Sequence, residues 1–195
     1  MQFFKVNQSI YNNKICTFFN LDVSLIIMKQ SYQQIYWTNQ DLDANEYQKI
    51  IKQHSYDHYL VVQIDPQSTY QNWIDQSVVK FIIKSLQNPQ QSFLLFLNCL
   101  SKADYNSVIG DLDGLFERDQ NGFSTYPMTI SHDLLKQSLK QQQFDDNRFQ
   151  LPPNLKIIAT YHRHAKNQLP TWAFRRWDHF EFDLLKSPIK SLNKL

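Results

Sequence analysis

Glycine is nearly missing from this sequence. Only Gly110, Gly114 and Gly122 occur among 195 residues, so the first 109 positions have none. Loops that wrap phosphates with backbone N–H groups need glycine for positive φ and for close approach of the chain. Neither a GxxxxGK[ST] phosphate loop nor a GxGxxG dinucleotide turn can be written anywhere in the chain. Cysteine is equally scarce: Cys16 and Cys99 lie far apart and form no CxxC pair. A disulfide scaffold and a zinc ribbon are thereby excluded, and a reducing compartment is the natural setting. An excess of one charge is also lacking, since 20 Lys+Arg against 18 Asp+Glu give a net charge of +2. No basic run is present, so neither direct nucleic-acid binding nor an anionic membrane is expected. The most apolar stretches, Val23 to Met28 and Phe93 to Leu100, are far short of the ~18–20 residues that cross a bilayer. The opening Met1-Gln2-Phe3-Phe4-Lys5 lacks the pattern of a signal peptide, so a cytoplasmic protein is expected.

What remains is an ordinary globular composition, 42% hydrophobic and 19% charged. At ~100–200 residues per domain, a single domain over 1–195 is expected. The apolar pattern alternates between strand and helix. Lys14 to Phe19, Tyr59 to Ile64, Ser92 to Leu97, Leu155 to Thr160 and His179 to Leu184 read as strands. Asp43 to His54, opened by a capping Asp, reads as a helix, as do Ser68–Leu86, Ala103–Glu117, Leu134–Gln142 and Thr171–Arg176. A turn and hairpin are expected over Gly122–Thr129. This alternation predicts an α/β fold with a mainly parallel, five-stranded sheet between helices.

Taken in order, residues 59–184 carry four degenerate phrases. They are Gln63-Ile64-Asp65-Pro66-Gln67-Ser68-Thr69-Tyr70, then Leu97-Asn98-Cys99-Leu100 running through Glu117, then Pro153-Asn154-Leu155 to His162, then Ala173-Phe174-Arg175-Arg176-Trp177. Their order and spacing resemble the AAA+ ATPase module of the McrB type, the motor family of modification-dependent restriction systems. The resemblance implies a P-loop NTPase-like, three-layer core. It places the Walker B carboxylates at Asn98 and Cys99, the sensor residue at His162, and arginine-finger candidates at Arg175 and Arg176. By the same register the Walker A lysine falls at Ser24, within Thr17–Leu25.

The departures from the family pattern decide the functional expectation. Asn98 and Cys99 supply no carboxylate to hold magnesium or polarise water, and Ser24 supplies no cation. Phosphoryl transfer rests on electrostatic positioning, so these losses together remove its basis. The helical lid that the family carries after its last strand is expected to be absent. The resemblance therefore implies a pseudo-ATPase with no cofactor that binds a protein partner, either an intact AAA+ subunit or a second copy. Two alternatives stand beside it. One is a nucleotide-binding subunit without hydrolysis. The other is a hydrolase using a Cys99/His162 pair, oriented by Asp104 or His164. His162-x-His164 and His54/His58 lack the further ligands of a zinc site. Trp73, Trp172 and Trp177 are expected in the core or an interface, and Asp111, Asp113, Glu117 and Asp119 on a solvated face.

Overall fold

The computed structural model describes residues 32–145 and 147–182, and the backbone of 190–191. Five parallel strands form the sheet, in the order β2-β3-β4-β1-β5, and a two-residue antiparallel β6 (Lys190–Ser191) follows β5. The strands are β1 (Gln33–Thr38), β2 (His58–Gln63), β3 (Phe93–Asn98), β4 (Leu155–His162) and β5 (Asp178–Glu181). Between them run α1 (Ala44–Lys52), α2 (Tyr70–Trp73), α3 (Gln76–Gln87), α4 (Tyr105–Ile109), α5 (Leu112–Leu115), α6 (Asp133–Gln141) and α7 (Thr171–Phe174).

Phe93-Leu94-Leu95-Phe96-Leu97 explains the layering. A strand buried on both faces needs an unbroken apolar run, and β3 is fully buried along its length. Phe93, Leu95 and Leu97 point into the larger core, built with α3 to α7, while Leu94 and Phe96 point toward Ile50 and Ile51 of α1. Helices thus cover both faces, and the mainly parallel three-layer α/β arrangement agrees with the sequence pattern.

Two long helices expected from periodicity are each broken. Ser68–Leu86 splits at Ile74, whose ψ of 71° leaves the helical region. Asp75 then starts α3 afresh by accepting from Ser77 N and Val78 N. A side-chain cap competes with helix continuation, and here it wins. Ala103–Glu117 breaks at Gly110, which has φ +51° and lies against the Tyr70 ring, where a Cβ would collide. The turn expected at Gly122 is present and closes an antiparallel bridge between Arg118 and Ser124, so the pairing lies upstream of Gly122–Thr129, while Met128 pairs with the distant Phe149. The apolar run Lys14–Phe19 lies outside the described residues.

The smaller core holds a polar pair that responds to pH. His54 Nε2 sits 3.1 Å from the Tyr36 hydroxyl, and its ring leans on Tyr56. Burial, reinforced by Lys156, pushes the imidazole from its usual 6.5 down to about 4. Between those values the unfolded chain holds the proton and the folded chain refuses it, so stability must fall as pH drops from 6.5 toward 4. For a partly exposed ring the loss is on the order of 1 kcal/mol after solvent screening. Urea midpoints measured from neutral pH to pH 4 are expected to fall more steeply in the parent chain than in His54→Gln.

Candidate functional site

Parallel α/β sheets gather their sites at the carboxyl ends of the strands, because the loops there leave the sheet together. In this chain that edge is formed by the ends of β1, β3 and β4. Asn98 closes β3 and is 1% exposed. Its Nδ2 donates to Leu42 O at 3.0 Å and to Gln63 Oε1 at 2.9 Å. Its Oδ1 accepts from the Thr160 hydroxyl at 2.7 Å, and that hydroxyl oxygen accepts from Cys99 N at 2.7 Å. Every polar atom of the amide is thereby used inside the fold. The arrangement ties β2, β3 and β4 to the loop after β1.

Cys99 takes up the left-handed conformation, φ 60° and ψ 41°, and is buried. Burial pushes its thiol up, so thiolate is disfavoured. His162 donates from Nε2 to Asn39 O at 2.7 Å, which fixes that nitrogen as the protonated one. Its backbone N–H donates to Ser101 Oγ. No hydrogen bond joins His162 to Cys99, and each ring or thiol answers to different neighbours. His164 meets the His162 ring edge-on at 6.0 Å. Among the described residues no three His, Cys, Asp or Glu side chains gather as a metal site.

The loop that converges on Asn98 and His162 is Asn39–Asp43, between β1 and α1. Sequence reasoning places the loop of the phosphate site at Thr17–Leu25, but those residues, Ser24 included, lie outside the described ones. The interior strand β1 has no counterpart among the strands expected from the sequence. Ile35-Tyr36-Trp37-Thr38 has the aromatic and β-branched character of a strand, followed by Asn39 and Asp41. The flanking Gln33 and Gln34, both buried, mask that signal.

The start of α1 decides what this loop can hold. Asp43 Oδ1 accepts from Asn45 N at 2.8 Å and Glu46 N at 2.9 Å, and Glu46 Oε2 accepts from Asp43 N at 2.8 Å. This reciprocal capping box fills, with the chain's own carboxylates, the N–H groups that a phosphate would need at a helix N-terminus. Asp41 adds a third carboxylate and pairs with Lys102 at 2.7 Å. That contact holds Lys102 above its usual pKa. Beside the pair lies a cavity of about 420 Å³ lined by Asp41, Ser101, Lys102, His162, Lys166 and Asn167. Among the described residues, those present do not fit the phosphates of a nucleotide: the α1 amides are taken by Asp43 and no glycine opens the loop.

The two arginines are placed differently. Arg176 is held within the chain by an ion pair to Asp113, with Glu117 at 3.7 Å and the Trp172 ring beneath its guanidinium. Arg175 is 73% exposed, and among the described residues it pairs with Glu117 at 3.4 Å. Trp172 and Phe174, on the same four-residue helix, are also exposed. Trp73 and Trp177 are core residues, donating to Val108 O and to the Tyr105 hydroxyl. Asp119 is spent on a turn, accepting from Asn121 N and Phe123 N, while Asp111 reaches a distant segment and accepts from Ser131 N.

One residue carries weight that its sequence does not announce. Arg118 is half-buried and donates to the carbonyls of Gly122, Leu151, Pro152 and Leu155. Burial lowers its pKa to about 10, still charged at neutral pH. It stitches the segment after α5 to the start of β4.

Fold and site together define a parallel α/β protein whose carboxyl edge is closed by its own amide and carboxylate contacts. No protein-family model matches the chain. It is similar to the Type II restriction enzyme BsuMI component YdiS of Bacillus subtilis (strain 168), with 32% identity over 119 residues, 60% of the chain. The chain spans about a third of that protein's length (34%). No helix among the described residues is long and apolar enough to cross a membrane.

Proposed function

We propose that this chain is a component of a restriction-type defence system that works by binding a protein partner, on a McrB-like AAA+ core that neither holds nor hydrolyses nucleotide. The observation that carries the reading is the capping box of Asp43 and Glu46 after the central strand, which occupies the amides a phosphate would use. Asn98, a neutral side chain whose two amide protons are both donated within the fold, supports it. The likeness to a restriction-enzyme component supports the setting and the need for partners. Arg175, exposed beside Trp172 and Phe174, is the residue offered to that partner; an intact AAA+ subunit is the first to test. The Cys99/His162 hydrolase reading draws no support from the geometry, because the thiol is buried and unpaired with the imidazole.

Thermal unfolding in ATP or GTP with Mg²⁺ tests the nucleotide half of the proposal. No shift is expected, whereas ligand at ~100 times Kd would add ~2.7 kcal/mol and raise the midpoint visibly. Such a rise would overturn the proposal. For the partner half, Arg175→Glu is expected to weaken co-purification with a McrB-type ATPase while leaving the unfolding midpoint unchanged. Undiminished association would remove Arg175 from the interface.

A further inference from the structure

Among the described residues strand β2 stands at the edge of the sheet and pairs with β3 alone. Its ladder fixes which backbone groups face outward. His58 N donates to Ser92 O and Ile64 N to Asn98 O, so the even-numbered residues turn toward β3. In a parallel ladder the intervening residues then turn their N–H and C=O groups the other way. Those residues are Tyr59, Val61 and Gln63, and among the described residues nothing pairs with them.

Edges of this kind are usually blunted by charge, proline, a bulge or shortness. His58–Gln63 is six residues long, in unbroken register with β3, and contains no Lys, Arg, Asp, Glu, Pro or Gly. Tyr59 is 51% exposed. Beside the strand's carboxyl half lies a hollow of about 460 Å³, walled by Val62, Gln63, Trp73 and Val78 and bearing the Asp65 and Asp75 carboxylates. Asp65 accepts only from Gln67 N and Ser68 Oγ, and Asp75 only from Ser77 and Val78 N. Neither is neutralised by a cation in the described fold.

We propose that the outer edge of β2 takes up an extended segment of a partner protein as an added strand, with a Lys or Arg of that segment seated between Asp65 and Asp75. The backbone groups of Tyr59, Val61 and Gln63 supply the affinity, and the two carboxylates select the basic side chain. A second copy of the chain fits less well, because β2 itself has no basic residue to place in the hollow. The proposal rests on the reading that the chain acts by binding protein, but it does not depend on the nucleotide result or on Arg175.

The test uses two labelled peptides of alternating Val and Thr that differ only in a central Lys or Glu. Fluorescence polarisation is expected to show the Lys peptide binding about tenfold more tightly, a difference of ~1.4 kcal/mol. Asp65→Asn with Asp75→Asn is expected to abolish that preference while folding normally, since Asn also caps α3. Val61→Pro removes an outward N–H without breaking the β3 ladder and is expected to abolish binding of both peptides. If that variant folds poorly, hydrogen exchange on the parent gives the same answer: the Tyr59, Val61 and Gln63 amides must slow when the Lys peptide is added. Absence of binding, equal binding of both peptides, or exchange unchanged at those amides would overturn the proposal. So would dimerisation of the chain through β2, which would give the edge to a second copy. Should peptide binding fail while ATP still gives no thermal shift, the pseudo-ATPase reading survives and the β2 assignment falls.

Discussion

Replacing Asn98 by Asp is expected to destabilise the protein by about 3–5 kcal/mol and to create no triphosphate turnover. The substitution restores a carboxylate where the McrB-type pattern has one, so it separates fold from chemistry. Asn98 donates to two acceptors, Leu42 O and Gln63 Oε1, and is 1% exposed. An ionised carboxylate there would lose both donated bonds and face oxygen on oxygen, leaving a buried charge without compensation. For a chain of this size the unfolding midpoint should fall by roughly 6–20 °C. Acidification should narrow the gap, because protonation removes the buried charge and returns one donor. No turnover is expected on the proposed function, because Asp41 and the capping box of Asp43 and Glu46 still occupy the loop and the helix start beside Asn98. A variant as stable as the parent, or one that releases phosphate from ATP, would contradict this account of the edge.

The second large effect is expected at Arg176. Its side chain and that of Asp113 are 16% and 15% exposed, and Asp113 Oδ1 also accepts from the Tyr105 hydroxyl, which in turn accepts from Trp177 Nε1. Burial raises the Asp113 pKa, and Arg176 opposes that rise. Arg176→Ala strands the carboxylate against the Tyr105–Trp177 pair and uncovers the Trp172 ring. A loss of about 3 kcal/mol is expected, the low end for breaking a buried pair, because both groups keep some water. Chemical denaturation at neutral pH should show it, with a smaller loss at pH 5 as the stranded carboxyl takes up a proton. Adding Asp113→Asn should recover part of the stability, a coupling that a double-mutant cycle measures directly. Arg175→Ala should change stability by no more than about 0.5 kcal/mol, as expected for an exposed pair. Neighbours in sequence, the two arginines differ because one faces Asp113 and the other faces water.

Much of the core is legible in the sequence. β2, β3 and β4 announce themselves as continuous apolar runs, and α1 by its capping Asp43, because those signals depend on residues within one element. The two helix breaks were harder to see. Periodicity continues through Ile74 and Gly110, and only the Asp75 cap and the packing of Tyr70 against Gly110 show where the chain turns. β1 escaped notice because its buried glutamines look like surface. Their burial follows from a central place in the sheet that no local pattern specifies.

By itself, then, the order of residues determined that strands and helices alternate, that no glycine loop can cradle phosphate, and that Asn98 cannot act as an acid. These are properties of composition and short-range pattern, which the chain carries wherever it folds. Only the tertiary structure decided which loop closes the carboxyl edge, that Asp43 and Glu46 plug its amides, that Arg176 is consumed by Asp113, and that β2 has an open side among the described residues. Each of those depends on pairing between segments far apart in sequence. Register and burial assign such partners, and hydropathy along the chain does not.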